Sequence, residues 1–357
     1  MCNMAAFAGS VPAAPVLLEM LERQEGLWSG HFSGISTIFE GKVYTARVCG
    51  NVARLRRETD AEKLPGTVGI AHSRTPGNIP LATWSHPFPV GDTLAYCANG
   101  APGCFAGVPD FSKLLKELDD AGVRFLSESD VPAKQSRPSL PDGRSLHVSE
   151  LNAQLLARAH FSGGLPLIAA LRRMFAEAPS EIAALAVAAD EPETVSALRF
   201  NQPLMWCRRG DASYLATSAL AFPDDTEGCV TAVPACTTLR MSRDRLVIEP
   251  MPEYAEKLDP DAGTFRAAAV MEGMLASGGA FSIGEFNEAL KNAAPKNGLA
   301  AQRALAVYSY LFEKLKRGEV ERADFAVPAS LPGTETALWR FRRATVPFAW
   351  KTAKAEN

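Results

Sequence analysis

The sequence lacks the residue patterns that are typical of metal-binding, membrane and nucleic-acid-binding proteins. Its seven cysteines include no Cys-x-x-Cys pair and its five histidines are scattered, so the usual zinc-ligand spacings are absent. No apolar run is long enough to span a bilayer, and no basic leader precedes the first apolar stretch. The net charge of −3 gives no field that would attract nucleic acid, and no Walker-type glycine loop is present. We therefore expect a soluble cytoplasmic protein that binds no metal, cofactor, membrane or nucleic acid.

Apolar periodicity indicates two domains in the 357-residue chain. Strand-forming residues flank Glu40 and Gly41, which predicts a hairpin, and the runs "TVGIAHS" and "TLAYCAN" predict further strands. Helical spacing predicts a helix in "APVLLEMLERQ" and another in "DFSKLLKELDDAG", which ends at Gly122 before a short strand. Strands, then helices, then strands again indicate an α+β domain of largely antiparallel sheets that ends near Pro250.

From about Pro252 the strand signals give way to helical stretches rich in alanine, glutamate and lysine. A linker in "PMPEYAEKLDPDAG" precedes three predicted helices, the second of which begins with a Ser282 cap and has Glu285 at its third position. Residues 252–357 are therefore predicted to form a small helical domain, either winged-helix-like or a small bundle. Its basic and aromatic end, "LWRFRRATVPFAWKTAK", favours a terminal strand with one aromatic face over a nucleic-acid contact.

Cys2 directly follows the initiator methionine in "MCNMAAFAG". Removal of Met1 would leave a thiol and a free α-amine on one residue. An α-amine has a pKa of about 7.7–8.0, so it can accept the thiol proton near neutral pH and make the sulfur a nucleophile. Position alone is a weak signal, because a free cysteine is usually a small buried side chain. The residues downstream must decide whether the placement matters.

Four stretches follow Cys2 in a fixed order and carry groups suited to amide chemistry. They are "GIAHSRTPG" with Arg74, "SHPF" with His86, "YCANG" with Asn99-Gly100, and "FLSESD" ending at Asp130. A guanidinium holds a carboxylate through paired hydrogen bonds and a carboxylate suits an ammonium, so Arg74 and Asp130 together would bind both ends of a free amino acid. Each taken singly has an ordinary explanation: Asn99-Gly100 is typical of a type I′ turn, and Arg74 of a structural ion pair.

The ordered series resembles the glutaminase domain of class II glutamine amidotransferases, which are N-terminal-nucleophile hydrolases. The resemblance covers about residues 2 to 249 and implies a four-layer αββα sandwich over residues 2–251. It implies that Cys2 is the nucleophile, and that the Asn99 side chain and the Gly100 N–H are the oxyanion donors. The reaction that it implies is attack on the side-chain amide of L-glutamine, which releases ammonia and, after hydrolysis of a thioester, glutamate.

The same resemblance assigns the substrate-binding residues. Arg74 would grip the α-carboxylate of glutamine and Asp130 its α-ammonium, while His86 is a candidate for lining the pocket and His72 is interpreted as structural. The chain departs from the family at Asn3, where glycine is usual, and at Thr75, where an aromatic residue is usual.

Three functions remain open at this point. The leading one is a glutaminase that passes ammonia to an unidentified acceptor, on a separate partner enzyme or elsewhere. The second is an N-terminal-cysteine amidase on another amide, because Asn3 and Thr75 would alter the pocket. The third is a catalytically silent amino-acid sensor that binds a partner through its helical domain. A homo-oligomer is compatible with each of them.

Overall fold

The computed structural model describes residues 2–77, 79–102, 109–131, 138–226, 229–255, 263–293, 302–327 and 336–344. Within these ranges, two antiparallel sheets are formed by thirteen strands: β1 (Asn3–Gly9), β2 (Phe32–Phe39), β3 (Lys42–Val48), β4 (Val68–Arg74), β5 (Phe88–Val90), β6 (Leu94–Pro102), β7 (Ser180–Ala188), β8 (Thr194–Arg199), β9 (Met205–Arg209), β10 (Ala212–Ala216), β11 (Thr231–Ala232), β12 (Thr237–Ser242) and β13 (Leu246–Pro250). The first sheet has the order β11-β9-β10-β1-β4-β2-β3, and the second has the order β13-β12-β8-β7-β6-β5.

Helices cover the outer faces of both sheets. They are α1 (Ala13–Glu22) and α2 (Val52–Glu58) on the first sheet, and α3 (Phe111–Asp120), α4 (Val148–Ala157) and α5 (Leu167–Glu177) on the second. Side chains alternate along β1, so Met4 and Ala6 enter the core between the sheets while Phe7 packs under α1. The layers therefore follow the order helix, sheet, sheet, helix, and the expected α+β architecture of antiparallel sheets is confirmed.

Local predictions had mixed outcomes in this first domain. The hairpin at Glu40-Gly41 is present between β2 and β3, where both turn residues adopt the positive φ that such a turn requires. The short strand expected after Gly122 is absent, because Val123 and Phe125 pack on the helix-side core from a loop. The segment predicted as a linker begins with a short helix, α6 (Pro252–Ala255). Its Tyr254 packs against Phe175 with ring centroids 4.9 Å apart.

The C-terminal part of the chain has a hydrophobic core of its own. It contains α7 (Gly263–Ala276), α8 (Ile283–Ala293), α9 (Gln302–Lys316) and a hairpin of β14 (Val320–Val327) with β15 (Thr336–Arg343). The predicted cap of α8 is confirmed, since the Glu285 carboxylate accepts from the Ser282 N–H at 2.7 Å. In β15 Phe341 is fully buried while Arg340 and Arg342 pair with glutamates, which is the predicted aromatic-faced strand. The last part of the basic and aromatic end, from residue 345, lies outside the described residues.

The C-terminal core continues into the first domain. Leu27, in the single helical turn Glu25–Leu27 after α1, is buried with the core residues of α7, α8 and α9. Gly26 meets the Trp339 ring so closely that a Cβ atom there would lie 2.3 Å from the indole. The two parts of the chain are thus packed against each other beside β1. None of the helices in the described ranges is long and apolar enough to cross a membrane.

Candidate active site

Cys2 lies at the start of β1, the strand between β4 and β10. The register pairs Met4 with His72 and Asn3 with Ser73, so continuing it by one residue places Cys2 opposite Arg74. Because side chains alternate along a strand, Cys2 shares the face of Met4, which points between the sheets. The thiol therefore faces the layer between the two sheets.

The surroundings of the Cys2 thiol favour its ionised form. The Thr75 N–H donates to Sγ at 3.5 Å, and the Thr75 hydroxyl lies 3.6 Å from Sγ. Burial raises the pKa of the thiol, but the His72 ring, the amino terminus and the Thr75 N–H together outweigh burial and lower the pKa to about 6. Much of the thiol is consequently thiolate at neutral pH, which is the nucleophilic form.

Three buried histidines form a cluster behind the thiol. His72 Nε2 lies 3.1 Å from the Ala98 carbonyl oxygen, and the His72 ring stacks on His86 with centroids 4.0 Å apart. His147 contacts the other side of His86 at 5.0 Å. Burial, together with the neighbouring His72 and His147, holds the pKa of His86 well below its usual range, so His86 is neutral. His86 thus contacts the rings of both His72 and His147.

Asn99 and Gly100 lie inside strand β6, not in the hairpin turn that the dipeptide alone suggests. Cys97 faces the core between the sheets, so by alternation Asn99 faces the same layer, which also contains Cys2. Asn99 is 2% exposed, and its Nδ2 has no hydrogen-bond partner within the described ranges. Gly100 has φ of +140°, and a Cβ atom there would lie 1.8 Å from the Glu181 carbonyl oxygen, so only glycine fits.

Arg74 is buried at the end of β4 with 8% of its surface exposed. Its Nη1 donates to the Trp84 carbonyl oxygen at 3.1 Å, and its guanidinium lies over the Phe32 ring at 4.9 Å. These contacts fix the plane of the guanidinium on the side of the sandwich where Cys2 begins β1. Arg74 is therefore an interior residue.

Asp130 stays apart from this buried group. It is exposed, and it makes no hydrogen bond or ion pair within the part of the chain that the structure describes. The segment before it is held firmly, because the buried Glu150 carboxylate accepts from the N–H groups of Leu126 and Ser127 and from the Ser127 hydroxyl. Register and side-chain alternation thus place Cys2, Arg74 and Asn99 in the layer between the two sheets, while Asp130 lies on a loop that Glu150 anchors.

Asn3 points away from the thiol. Its side chain leaves the opposite face of β1, where Nδ2 donates to the Gln24 carbonyl oxygen at 2.6 Å and to Ser29 Oγ at 2.8 Å. Gln24 in turn donates to the Met4 carbonyl oxygen at 3.0 Å. Asn3, which stands where the family usually has glycine, therefore ties β1 to the segment after α1. It adds no side chain to the face of β1 that carries the thiol.

We predict that Asn3→Ala destabilises the protein by about 1–3 kcal/mol, because two buried hydrogen bonds are lost and their partners stay buried. Urea unfolding followed by circular dichroism would show this as a lower midpoint with an unchanged slope. Ser242→Ala is a suitable control, since the Ser242 hydroxyl bonds on an exposed turn. Equal midpoints for the two variants would refute the structural role assigned to Asn3.

A tyrosine from the helical domain also reaches the surroundings of Cys2. Tyr308 on α9 is 2% exposed, and its hydroxyl has no hydrogen-bond partner among the described residues. Burial raises the pKa of Tyr308, and the nearby Cys2 raises it further because two negative charges would repel each other. No signal in the sequence indicates this contact, since the spacing of α9 predicts only an amphipathic helix. Within the described ranges, no group of three or more histidine, cysteine, aspartate or glutamate side chains could hold a metal ion.

Comparison with known proteins finds relatives by sequence and by fold. No family model matches the chain. It is 27% identical over 223 residues to the glutamine–fructose-6-phosphate aminotransferase (isomerizing) of Rhizobium leguminosarum bv. viciae, covering 62% of this chain and 32% of that protein. The Mycobacterium bovis enzyme of the same name is 27% identical over 243 residues, covering 64% of this chain and 34% of that protein. The chain therefore spans about a third of the length of the curated relatives it matches.

Solved structures show a similar fold. The glutamine phosphoribosylpyrophosphate amidotransferase of B. subtilis matches with a TM-score of 0.55 and 15% identity, covering 87% of this chain and 64% of that one. This likeness shows that the chain has the fold of a glutamine amidotransferase, and with the named relatives it supports the resemblance to class II glutamine amidotransferases. Its relatives are enzymes of that class.

Proposed function

We propose that this protein hydrolyses the side-chain amide of L-glutamine through a thioester on Cys2, which becomes the first residue when Met1 is removed. The observation that carries the proposal is the position of the Cys2 thiol at the start of a central strand, where the Thr75 N–H donates to Sγ at 3.5 Å and the pKa of the thiol is lowered to about 6. A thiolate in this place attacks the amide carbonyl, ammonia leaves, and water then releases glutamate.

The two oxyanion donors are the Asn99 side chain and the Gly100 N–H. An amide N–H that is buried without a partner costs free energy in the resting protein, and it becomes useful when an oxyanion forms beside it. The burial of Asn99 Nδ2 without a partner in the described ranges supports this role. The positive φ of Gly100 sets the direction of the neighbouring backbone groups.

Arg74 binds the α-carboxylate of glutamine and Asp130 its α-ammonium in this proposal. The Trp84 carbonyl and the Phe32 ring hold the Arg74 guanidinium in one plane, which suits bidentate binding of a carboxylate. Asp130 has no partner to displace within the described ranges and lies on a loop that is anchored by Glu150. His86 supports the pocket from behind His72 as a neutral residue.

We further propose that the ammonia is passed to an acceptor on a partner enzyme in the cytoplasm. The helical domain of residues 252–357, which we expect to be winged-helix-like or a small bundle, is the part that would meet this partner. The supporting observation is that Tyr308 places this domain against the surroundings of Cys2, where ammonia would be formed.

The test is covalent labelling with a glutamine analogue that carries an electrophile in place of the side-chain amide. We expect intact mass spectrometry to show loss of Met1 and one adduct per chain, and peptide mapping to place the adduct on Cys2. L-Glutamine should protect against labelling, whereas an amide that lacks the α-carboxylate should not. Equal protection by both compounds would favour an amidase for another substrate, and retention of Met1 without labelling would favour a silent sensor.

A further inference from the structure

A cavity of about 670 Å³ lies where the helical domain packs on the first domain, and we call it the interdomain cavity. One wall is the segment after β10, residues 219–226, and the other is formed by the end of α9 and the hairpin of β14 with β15. Phe222 of the first wall belongs to the core under α1, whereas the Cys2 thiol faces the layer between the two sheets. The interdomain cavity is therefore separate from the candidate active site, and its volume is typical of small-molecule sites.

Three aromatic side chains line the interdomain cavity. Phe222 lies on the wall from the first domain, and Phe312 and Trp339 lie on the wall from the helical domain. Phe312 and Trp339 are half-buried, so part of each ring is accessible to a ligand. The Trp339 indole is packed closely against Gly26, where a Cβ atom would lie 2.3 Å from the ring. A flat apolar molecule matches these walls, because aromatic rings pack well on one another.

Arg322 on β14 supplies the cavity with a cation that is available to an anion. Its guanidinium carbon lies 4.4 Å from the centre of the Trp339 ring, so the indole supports the guanidinium. The other arginines of the hairpin, Arg340, Arg342 and Arg343, each pair with a glutamate. Arg322 is exposed and pairs with no carboxylate in the part of the chain that the structure describes. Its N–H donors are thus open to a ligand in the cavity.

The charges around the interdomain cavity suit an anion with a single negative charge. Three cations and two carboxylates line it and leave a net charge of +1: Arg23, Lys316, Arg322, Asp224 and Glu313. Arg23 is already paired with Asp224 and with Glu19, each at 2.8 Å. A carboxylate offers two oxygens to the fork of one guanidinium, whereas a phosphate dianion carries more charge than this wall balances. The lining therefore favours a carboxylate bound at Arg322.

We propose that the interdomain cavity binds a small aromatic carboxylate, with its carboxylate on Arg322 and its ring beside Trp339 and Phe312. The ligand contacts both walls, so its binding holds the helical domain against the first domain. This site goes beyond the proposed function, because neither Cys2 nor glutamine takes part in it.

The first test measures binding to the full chain by isothermal titration calorimetry. The probes are naphthoate, naphthamide and naphthyl phosphate, which share one ring system and differ in charge. We expect one naphthoate per chain, bound about tenfold or more tighter than the neutral amide, because the amide lacks the charge that pairs with Arg322. Absence of saturable naphthoate binding would overturn the site. Tighter binding of the phosphate ester than of naphthoate would overturn its assignment to carboxylates.

Two variants locate the anion on the hairpin. Arg322→Gln keeps a planar amide and removes the charge, so the affinity for naphthoate should fall about tenfold or more while that for naphthamide stays the same. Arg342→Gln is the matched control, since Arg342 lies on the same hairpin, pairs with Glu321 and is not part of the described lining. Both affinities should equal those of the parent in the control. Equal affinity for naphthoate in the parent and in folded Arg322→Gln would refute the proposal.

A photolabelling experiment needs no substituted protein. Naphthoate that carries a diazirine is photoactivated on the full chain, and peptide mass spectrometry locates the label. We expect labels within residues 219–226 or 312–322, and excess naphthoate should suppress them. Suppressible labels that lie only outside these two segments, such as around Cys2, would show that the anion binds elsewhere and would overturn the proposal. None of these measurements uses glutamine, so failure of this inference can be told from failure of the proposed function.

Discussion

Cys2→Ala is expected to lower kcat for glutamine hydrolysis by about 10⁴-fold or more, to the background of the assay, because no other group can form the thioester. Cys2 lies outside the buried core clusters, so the variant should fold with an unfolding midpoint close to that of the parent. The measurement is glutamate release from L-glutamine by the processed chain.

The control for this variant is Cys49→Ala. Cys49 is also partly buried, but burial raises the pKa of its thiol and leaves it largely protonated at neutral pH. We expect the Cys49 variant to retain the activity of the parent. Glutaminase activity that survives in Cys2→Ala would rule out a thioester on Cys2.

Asn99→Ala is expected to lower kcat by about 10²–10³-fold, which is the usual loss when one oxyanion donor is removed. Its stability should be equal to or greater than that of the parent, because the unpartnered buried Nδ2 is no longer held away from water. Steady-state kinetics and urea unfolding on the same preparation would separate these two effects.

Asn152→Ala is the matched comparison for Asn99→Ala. Asn152 is another buried asparagine, but its amide lies 3.5 Å from the Tyr96 hydroxyl in the helix-side core. We expect this variant to lose stability and to keep its kcat. A pattern in which both asparagine variants lose stability and neither loses kcat would contradict the role of Asn99 in the site.

The sequence predicted the parts of the fold that depend on neighbouring residues. Alternation of side chains identified β2, β3 and β4, and the cap at Ser282 identified the start of α8, since both signals are local. The prediction of a short strand after Gly122 was wrong, because Val123 and Phe125 are buried from a loop. The alternating apolar residues of such a loop look the same in the sequence as those of a strand. Local signals cannot distinguish these two cases.

The arrangement of the candidate site depends on how the strands pair with one another, and the sequence of a single strand does not specify that register. Asn99-Gly100 has the composition of a turn, and only the pairing of β6 with β7 shows that it lies inside a sheet. His72 has an ordinary place in an apolar strand until β1 pairs with β4 and brings Cys2 to the same face. Asn3, the neighbour of the thiol in sequence, faces the other way for the same reason.

Tyr308 connects the helical domain to the surroundings of the nucleophile. Its hydroxyl is buried and stays protonated near neutral pH, because burial and the nearby Cys2 raise its pKa. The helix α9 therefore adds a neutral side chain, and no charge, to the surroundings of Cys2.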